Sequence, residues 1–277
     1  MSNYDLHTHS NISDGLLPPA ALVERAATAG VSTLALTDHD DVAGLPFARA
    51  AADRLGIALV NGVEISVTWR KRTIHIVGLQ IDPQHQPLVA GLAAIRQGRA
   101  IRAQRMADSL AQAGIPDALA GAYRYADNPE IIGRTHFARF LVHQGYAKDV
   151  RTVFRHFLVG GKPGYVAHEW AALADAVQWI NAAGGIAVLA HPGRYDLGRQ
   201  LLPELIGEFK AAGGRAIEVV TGSHTPDQYA LFARYAQEFE LLASRGSDFH
   251  GPGESYVEPG ALPPLPPSLL PVWHDWT

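Results

Sequence analysis

The sequence predicts an α/β fold, a distorted TIM-like (β/α)7 barrel with a small, mostly helical insertion. Short continuous apolar runs alternate with amphipathic stretches, the pattern of a parallel sheet covered by helices. Histidines and carboxylates stand where these runs end, and they come from early, middle and late runs alike. An open doubly wound sheet gathers ligands only where its strand order reverses, whereas a closed barrel gathers all strand ends at one face.

Taken in order, Tyr4-Asp5-Leu6 predicts a first strand ending at His7. Pro18-Pro19 opens a helix over 20–29, stopped by Gly30. Residues 31–36 form an apolar strand that runs into Thr37-Asp38-His39-Asp40, and a helix over about 44–55 ends with Gly56 as its C′ residue. The strand at 57–60 leads to Asn61-Gly62-Val63-Glu64. Residues 65–69 and 73–79 then flank the basic turn Arg70-Lys71-Arg72 as a hairpin. Beyond Gly164 the alternation resumes, with helices at 171–183, 201–212 and 226–239 and strands at 186–190, 216–220 and 241–244.

Between about 98 and 164 no buried parallel strand is legible. The pattern there is helical at 101–113, 133–144 and 148–157. Residues 1–97 and 165–277 therefore form the barrel, and 98–164 a helical insertion capping the active site, too small to bury much core alone. The Pro- and Gly-rich tail from Gly251 is expected to wrap the body as irregular chain, with Leu270, Val272, Trp273 or Trp276 as apolar anchors.

The chain has 277 residues and no cysteine, which removes disulfides and Cys-type zinc sites and fits a reducing, cytoplasmic location. The polar start predicts no signal peptide, and no apolar run reaches membrane-spanning length. With 23 basic and 27 acidic residues, the net charge of −4 argues against stable duplex DNA binding. A small phosphorylated substrate or the end of a short single-stranded RNA is compatible with it, and a monomer is expected. The chain has neither a Gly-x-Ser-x-Gly elbow nor a Gly-rich loop followed by Lys-Ser or Lys-Thr. That excludes a serine nucleophile of that type and a P-loop NTPase.

His7 and His9 alternate with Thr8, so in extended chain both imidazoles face one side. Asp248-Phe249-His250 repeats that spacing, and His39, Glu64, His75 and His191 complete a thiol-free donor set. Each has a plainer reading: Asp14 as a turn residue before Gly15, His75 as an exposed cross-strand partner, His191 as an ordinary turn before Pro192. Recurrence outweighs these, because burying so many ionisable groups without ions is costly. Imidazole with carboxylate suits Mn²⁺, Fe²⁺ or Zn²⁺.

The set His7-x-His9, Asp14, Thr37-Asp38-His39-Asp40, Glu64, His75, His191-Pro192 and Asp248-x-His250 resembles the polymerase and histidinol phosphatase (PHP) superfamily, over Tyr4 to His250. With Ser10, Asp14-Gly15 and the insertion, it is similar to the branch that removes the 3′-phosphate from nucleoside 3′,5′-bisphosphates, whose members are also described as 5′-to-3′ exoribonucleases. The resemblance implies three divalent ions, Mn²⁺ preferred. His7, His9 and Asp248 would hold the first; Glu64 would bridge to the second, with His75 and His191; Asp14, His39 and His250 would hold the third.

Such a centre predicts attack on phosphorus by a metal-bound hydroxide held by the cluster. Asp38 and Asp40, flanking His39, are candidates to orient it from behind. A second phosphate needs cations away from the ions, and Arg134 and Arg194 are expected to bind it, with His136, Ser10 and His224 as further substrate contacts. Tyr125, Tyr165 and Trp69 are candidates to stack on a base. Arg96, Arg99, Arg102 and Arg105 form a basic stripe that would either lead RNA to the site or simply be a solvated helix face. Histidinol phosphatase or general phosphoesterase activity, and a nucleic-acid-binding module with a decayed metal site, are the alternatives.

Overall fold

A computed structural model describes residues 2–276, apart from the side chain of Arg199. Strands β1 (Tyr4–Asp5), β2 (Thr33–Leu36) and β3 (Ala58–Trp69) lie parallel in that order. β4 (Arg72–Leu79) turns back antiparallel to β3 and also runs antiparallel to β6 (Ile186–Leu189). β7 (Ala216–Thr221) and β8 (Leu242–Gly246) continue parallel to β6. The short β5 (Ala171–Ala172) pairs with β3 off this path.

The barrel closes where the chain after β1 meets the chain after β8. Leu6 N donates to Arg245 O (3.0 Å), Asp248 N to His7 O (2.8 Å) and His9 N to Phe249 O (2.9 Å). Gly246 permits this approach, since a Cβ there would lie 2.3 Å from that of His7. The seven-stranded, nearly closed sheet agrees with the predicted barrel.

Helices α1 (Pro19–Thr28), α2 (Leu45–Leu55), α7 (Leu173–Ala182), α8 (Gly198–Ala211) and α9 (Pro226–Glu238) cover the barrel and lie close to their expected positions. Gly56 ends α2 in the left-handed conformation (φ 71°). Two elements differ from expectation. The runs at 57–60 and 65–69 are one twelve-residue strand, because Asn61-Gly62 stays in ladder register opposite β2 and β4 instead of breaking it. The helix expected at 101–113 starts much earlier, as α3 (Gln86–Gln112), and so passes through the boundary drawn at 98. Its register buries Leu88, Leu92 and Ile95 among the barrel's helices and Met106 and Leu110 within the insertion.

The insertion continues with α4 (Ala118–Tyr123), α5 (Arg134–His143) and α6 (Val150–Val153), and it has its own apolar cluster around Phe137, Leu141 and Leu158. In the tail, Val272 is buried, its N–H donates to Ala243 O (2.8 Å), and Trp273 stacks on Tyr4 at 4.2 Å. Leu270 remains exposed. No helix among the described residues is long and apolar enough to cross a membrane.

Candidate metal centre

The ends of β1, β2, β6 and β8 and the inner face of the β3–β4 hairpin converge on one buried cluster of six imidazoles and three carboxylates. Ser66 stands directly opposite His75 in the hairpin, so Glu64, two residues before Ser66, shares a face with His75. Glu64 is fully buried. Its Oε1 lies 2.9 Å from both His75 Nδ1 and His191 Nε2, and its Oε2 lies 2.9 Å from His39 Nδ1. His7 Nε2 and His9 Nε2 face each other at 3.1 Å, and Asp248 Oδ1 lies 3.5 and 3.2 Å from them. On the outer side, Asp14 Oδ1 is 3.3 Å from His250 Nε2 and 3.8 Å from His39 Nε2.

These donors form four overlapping groups, each with ligand atoms within 4.8 Å of one another: His7, His9, Asp248; His7, Glu64, His191; His39, Glu64, His75; and His9, Asp14, His39, His250. The nine expected ligand positions are thus brought together. Asp14 Oδ1, Glu64 Oε2, His39 Nδ1 and His75 Nδ1 are buried without a hydrogen-bond partner. Several lie close to one another at angles that make no hydrogen bond. Leaving so many buried polar atoms unpaired is costly, and cations placed among them satisfy the lone pairs at once. The residues fit divalent ions.

Electrostatics agree for the carboxylates and for His9. Burial alone would raise the Glu64 carboxyl, yet His75, His39 and His7 hold it well below its usual range. Asp14 is held well below the usual range against burial by His250 and His39, and Asp248 by His7 and His250. His9 is pushed down to about 3 by burial and the neighbouring His250. His250 itself, despite burial, is raised to about 9 by Asp14 and Asp248. His191 and Asp248 adopt positive φ (27° and 55°), strain of about 1–3 kcal/mol each that a functional geometry sustains.

Glu218 was not singled out from the sequence. It is buried in β7, its Oε1 2.7 Å from His7 Nδ1, and its Oε2 accepts the His191 backbone N–H at 2.5 Å. It fixes His7 with Nε2 pointing at the cluster. A lone carboxylate within Ala-Ile-Glu-Val-Val was the signal available for it.

The remaining expected site residues divide. Asp38 accepts from Ser10 N (2.7 Å), Ser10 Oγ (2.6 Å) and Ser13 Oγ (2.6 Å), and so shapes the loop that presents Asp14. Burial raises Asp38 to about 6 against those hydrogen bonds. Ser10 is consequently buried, with its hydroxyl on Asp38 and not at the pocket. Asp40 accepts from Ser66 and Arg99, joining β3 to α3. His136 is buried at the start of α5, where its Nδ1 accepts the Gly133 N–H (3.0 Å); burial lowers it to about 4. His224 lies under the Pro192 turn, stacked on Phe232 and accepting from Gly193 N (2.9 Å). Asp5, a buried carboxylate of β1, receives Ser247 N and Gly260 N and ties the tail down.

Arg134 and Arg194 line the pocket above the cluster, joined by Arg99 and Arg102 of α3. These last two are buried, which rules out a solvated face for that part of the basic stripe. Burial and the neighbouring Arg134 and Arg99 lower Arg102 to about 9, as expected of crowded cations facing an anion site. The aromatic rings in the wall are Phe154 and Trp170. Trp69 is instead buried against α8, its Nε1 donating to Glu208, while Tyr125 packs within the insertion, near His143.

A buried imidazole–carboxylate cluster at a barrel's open end, beside four arginines, defines a metal-dependent phosphoesterase. The family described as "PHP domain" matches residues 5–222, and the chain belongs to it. It is 55% identical over 99% of its length to a 3′,5′-nucleoside bisphosphate phosphatase of Chromobacterium violaceum, covering 96% of that protein. It is 45% identical over 99% of its length to a 5′-3′ exoribonuclease of Haemophilus influenzae, covering 98% of it. A solved structure of a Chromobacterium violaceum amidohydrolase, with bound sulfate and no metal, superposes with a TM-score of 0.96 at 55% identity, over 99% of this chain and 95% of that one.

Proposed function

We propose that this enzyme hydrolyses the 3′-phosphate of nucleoside 3′,5′-bisphosphates to give nucleoside 5′-monophosphates. The observation that carries it is the pairing of two anion sites in one pocket, the ligand cluster on one side and the arginines on the other. A substrate with one phosphate has no use for the second. The 55% identity to a bisphosphate phosphatase supports the same substrate.

We infer three divalent ions: one on His7, His9 and Asp248, a second on His75 and His191 with Glu64 shared between these two, and a third on Asp14, His39 and His250. Mixed imidazole and carboxylate favour Mn²⁺ or Fe²⁺ over Ca²⁺, and the same donors accept Zn²⁺. The chemistry that such ions supply is activation of water and neutralisation of charge on the phosphoryl oxygens. The chain's own groups do the rest. Arg194 Nη1 donates to Asp248 Oδ2 at 2.7 Å, turning Oδ1 toward His7 and His9, and the rest of its fork is open to substrate. Arg134, at the start of α5, adds a second fork where backbone N–H groups also favour an anion. Together they hold the 5′-phosphate and set the 3′-phosphate over the cluster.

The first nucleotide of a 5′-phosphorylated RNA presents the same 5′-phosphate and a phosphodiester in the 3′ position. The Haemophilus influenzae relative favours exoribonuclease action on short RNA as a second activity of this pocket. The absence of cysteine supports a cytoplasmic enzyme, and we propose that it acts as a monomer. Phosphate release from adenosine 3′,5′-bisphosphate and from histidinol phosphate, at equal concentration with Mn²⁺, tests the reading. The bisphosphate should be turned over at least about 100-fold better, since one Arg–phosphate contact is worth about 2–3 kcal/mol. Equal or better turnover of histidinol phosphate would refute the bisphosphate assignment.

A further inference from the structure

Two of the outer ion's three ligands come from loops: Asp14 lies in the turn after β1, and His250 in the tail beyond β8. Between them stands Arg139, a buried arginine of α5 in the insertion. Its Nη2 donates to the backbone carbonyl of Asp14 at 2.6 Å, and its Nε and Nη2 donate to the Glu254 carboxylate at 2.9 and 2.8 Å. Glu254 is four residues past His250, and within that turn Ser255 Oγ accepts the His250 N–H at 2.7 Å. One turn earlier in α5, Thr135 Oγ1 donates to Asp14 Oδ2 at 2.7 Å, leaving Oδ1, which has no hydrogen-bond partner, facing His250 and His39.

We infer that Arg139 and Glu254 are positioning residues for the third ion: a strut through which the insertion sets the separation of Asp14 and His250. A bidentate Arg–carboxylate pair is planar and directional, so it fixes the Glu254 turn relative to α5. The carbonyl contact fixes the Asp14 loop relative to the same guanidinium. The insertion is then a component of the metal centre as well as a wall of the substrate pocket. This inference rests on the three-ion reading.

The test is Mn²⁺ binding, followed by equilibrium titration on wild type, Glu254→Gln, Arg139→Lys and Arg139→Met, with melting temperatures of the metal-free forms measured in parallel. The expected result is three ions on wild type, with the weakest site loosened about 10- to 100-fold in Glu254→Gln and Arg139→Met, as removal of a ligand's supporting partner does. Arg139→Lys should recover part of that loss. The two tighter sites should move by less than about twofold, and excess Mn²⁺ should restore turnover in Glu254→Gln. Fewer than three ions on wild type overturns the three-ion reading, and the strut with it. Three ions on wild type with unchanged weakest-site affinity in Glu254→Gln overturns the strut alone. So does equal weakening of all three sites, which marks a general loss of structure.

Discussion

The inner and outer halves of the cluster are built differently. The inner half, His7, His9, Glu64, His75, His191 and Asp248, hangs on the barrel: the proposed ligands sit on strands or just beyond them, and Glu218 in β7 braces His7 and the His191 backbone from behind. In the outer half His39 follows β2 and bridges to Glu64, but Asp14 and His250 lie in loops and are braced by the insertion, through Thr135, Arg139 and Glu254. Strand ends are held by the sheet whether or not an ion is present. Loop ligands depend on side-chain braces, so the outer half should be the weaker, more easily emptied and more pH-sensitive site.

The largest effect should come from Glu64, which the two proposed inner ions share and which also faces His39 of the outer half. Glu64→Gln keeps the shape but removes the carboxylate charge that faces His7, His39, His75 and His191. Turnover should fall about 10³-fold or more, a loss of roughly 4 kcal/mol in stabilising the developing charge. Steady-state kinetics at saturating Mn²⁺ measures it, and a loss under tenfold would show that Glu64 is no bridge.

Glu218→Gln should act on the inner half alone. Removing the brace on His7 should weaken binding of an inner ion by about 10- to 100-fold while leaving the outer affinity in place. Metal titration separates this from Glu254→Gln, which should show the opposite pattern; identical patterns would erase the distinction between halves.

Arg134→Ala probes the substrate side. Activity on a bisphosphate should fall by about 100-fold, and activity on an aryl monophosphate, which has no second phosphate to hold, should stay within about twofold. Parallel loss on both substrates would make Arg134 a support of the fold.

The smallest effect is one of pH. In the metal-free protein the folded-state value of His250 lies near 9, above its ordinary 6.5. That proton's contribution to stability is therefore fully present below pH 6.5 and is lost as pH rises through 9. Binding an ion to the outer half displaces the same proton, so outer-site affinity should rise with pH across this window. Calorimetry in buffers of different ionisation enthalpy should detect proton release near pH 7.5. Uptake without release would contradict a protonated His250.

What was legible in the sequence follows the same division. Ligands at strand ends are announced by the apolar runs before them, which is why His7, His39 and His191 stand out beside their strands. The barrel was readable for the same reason, because alternation of apolar runs is a local signal. Glu218 was hidden by sitting inside such a run, where a carboxylate looks like an interruption. Arg139 and Glu254 were hidden by distance, since nothing local marks two residues 115 positions apart as partners. The asparagine and glycine within β3 looked like a strand break because the partners that keep them in register, β2 and β4, are tertiary. Arg99 and Arg102 could be read either as steering charge or as a solvated face until α3 was seen to turn them into the pocket.

The most direct measurement is anomalous diffraction from crystals grown with Mn²⁺, collected on both sides of the manganese edge. The account predicts three peaks per chain, two among His7, His9, Glu64, His75, His191 and Asp248, and a third, of lower occupancy at limiting metal, between Asp14, His39 and His250. A single peak, or an outer peak that persists at full occupancy after the inner ones have been stripped, would contradict it.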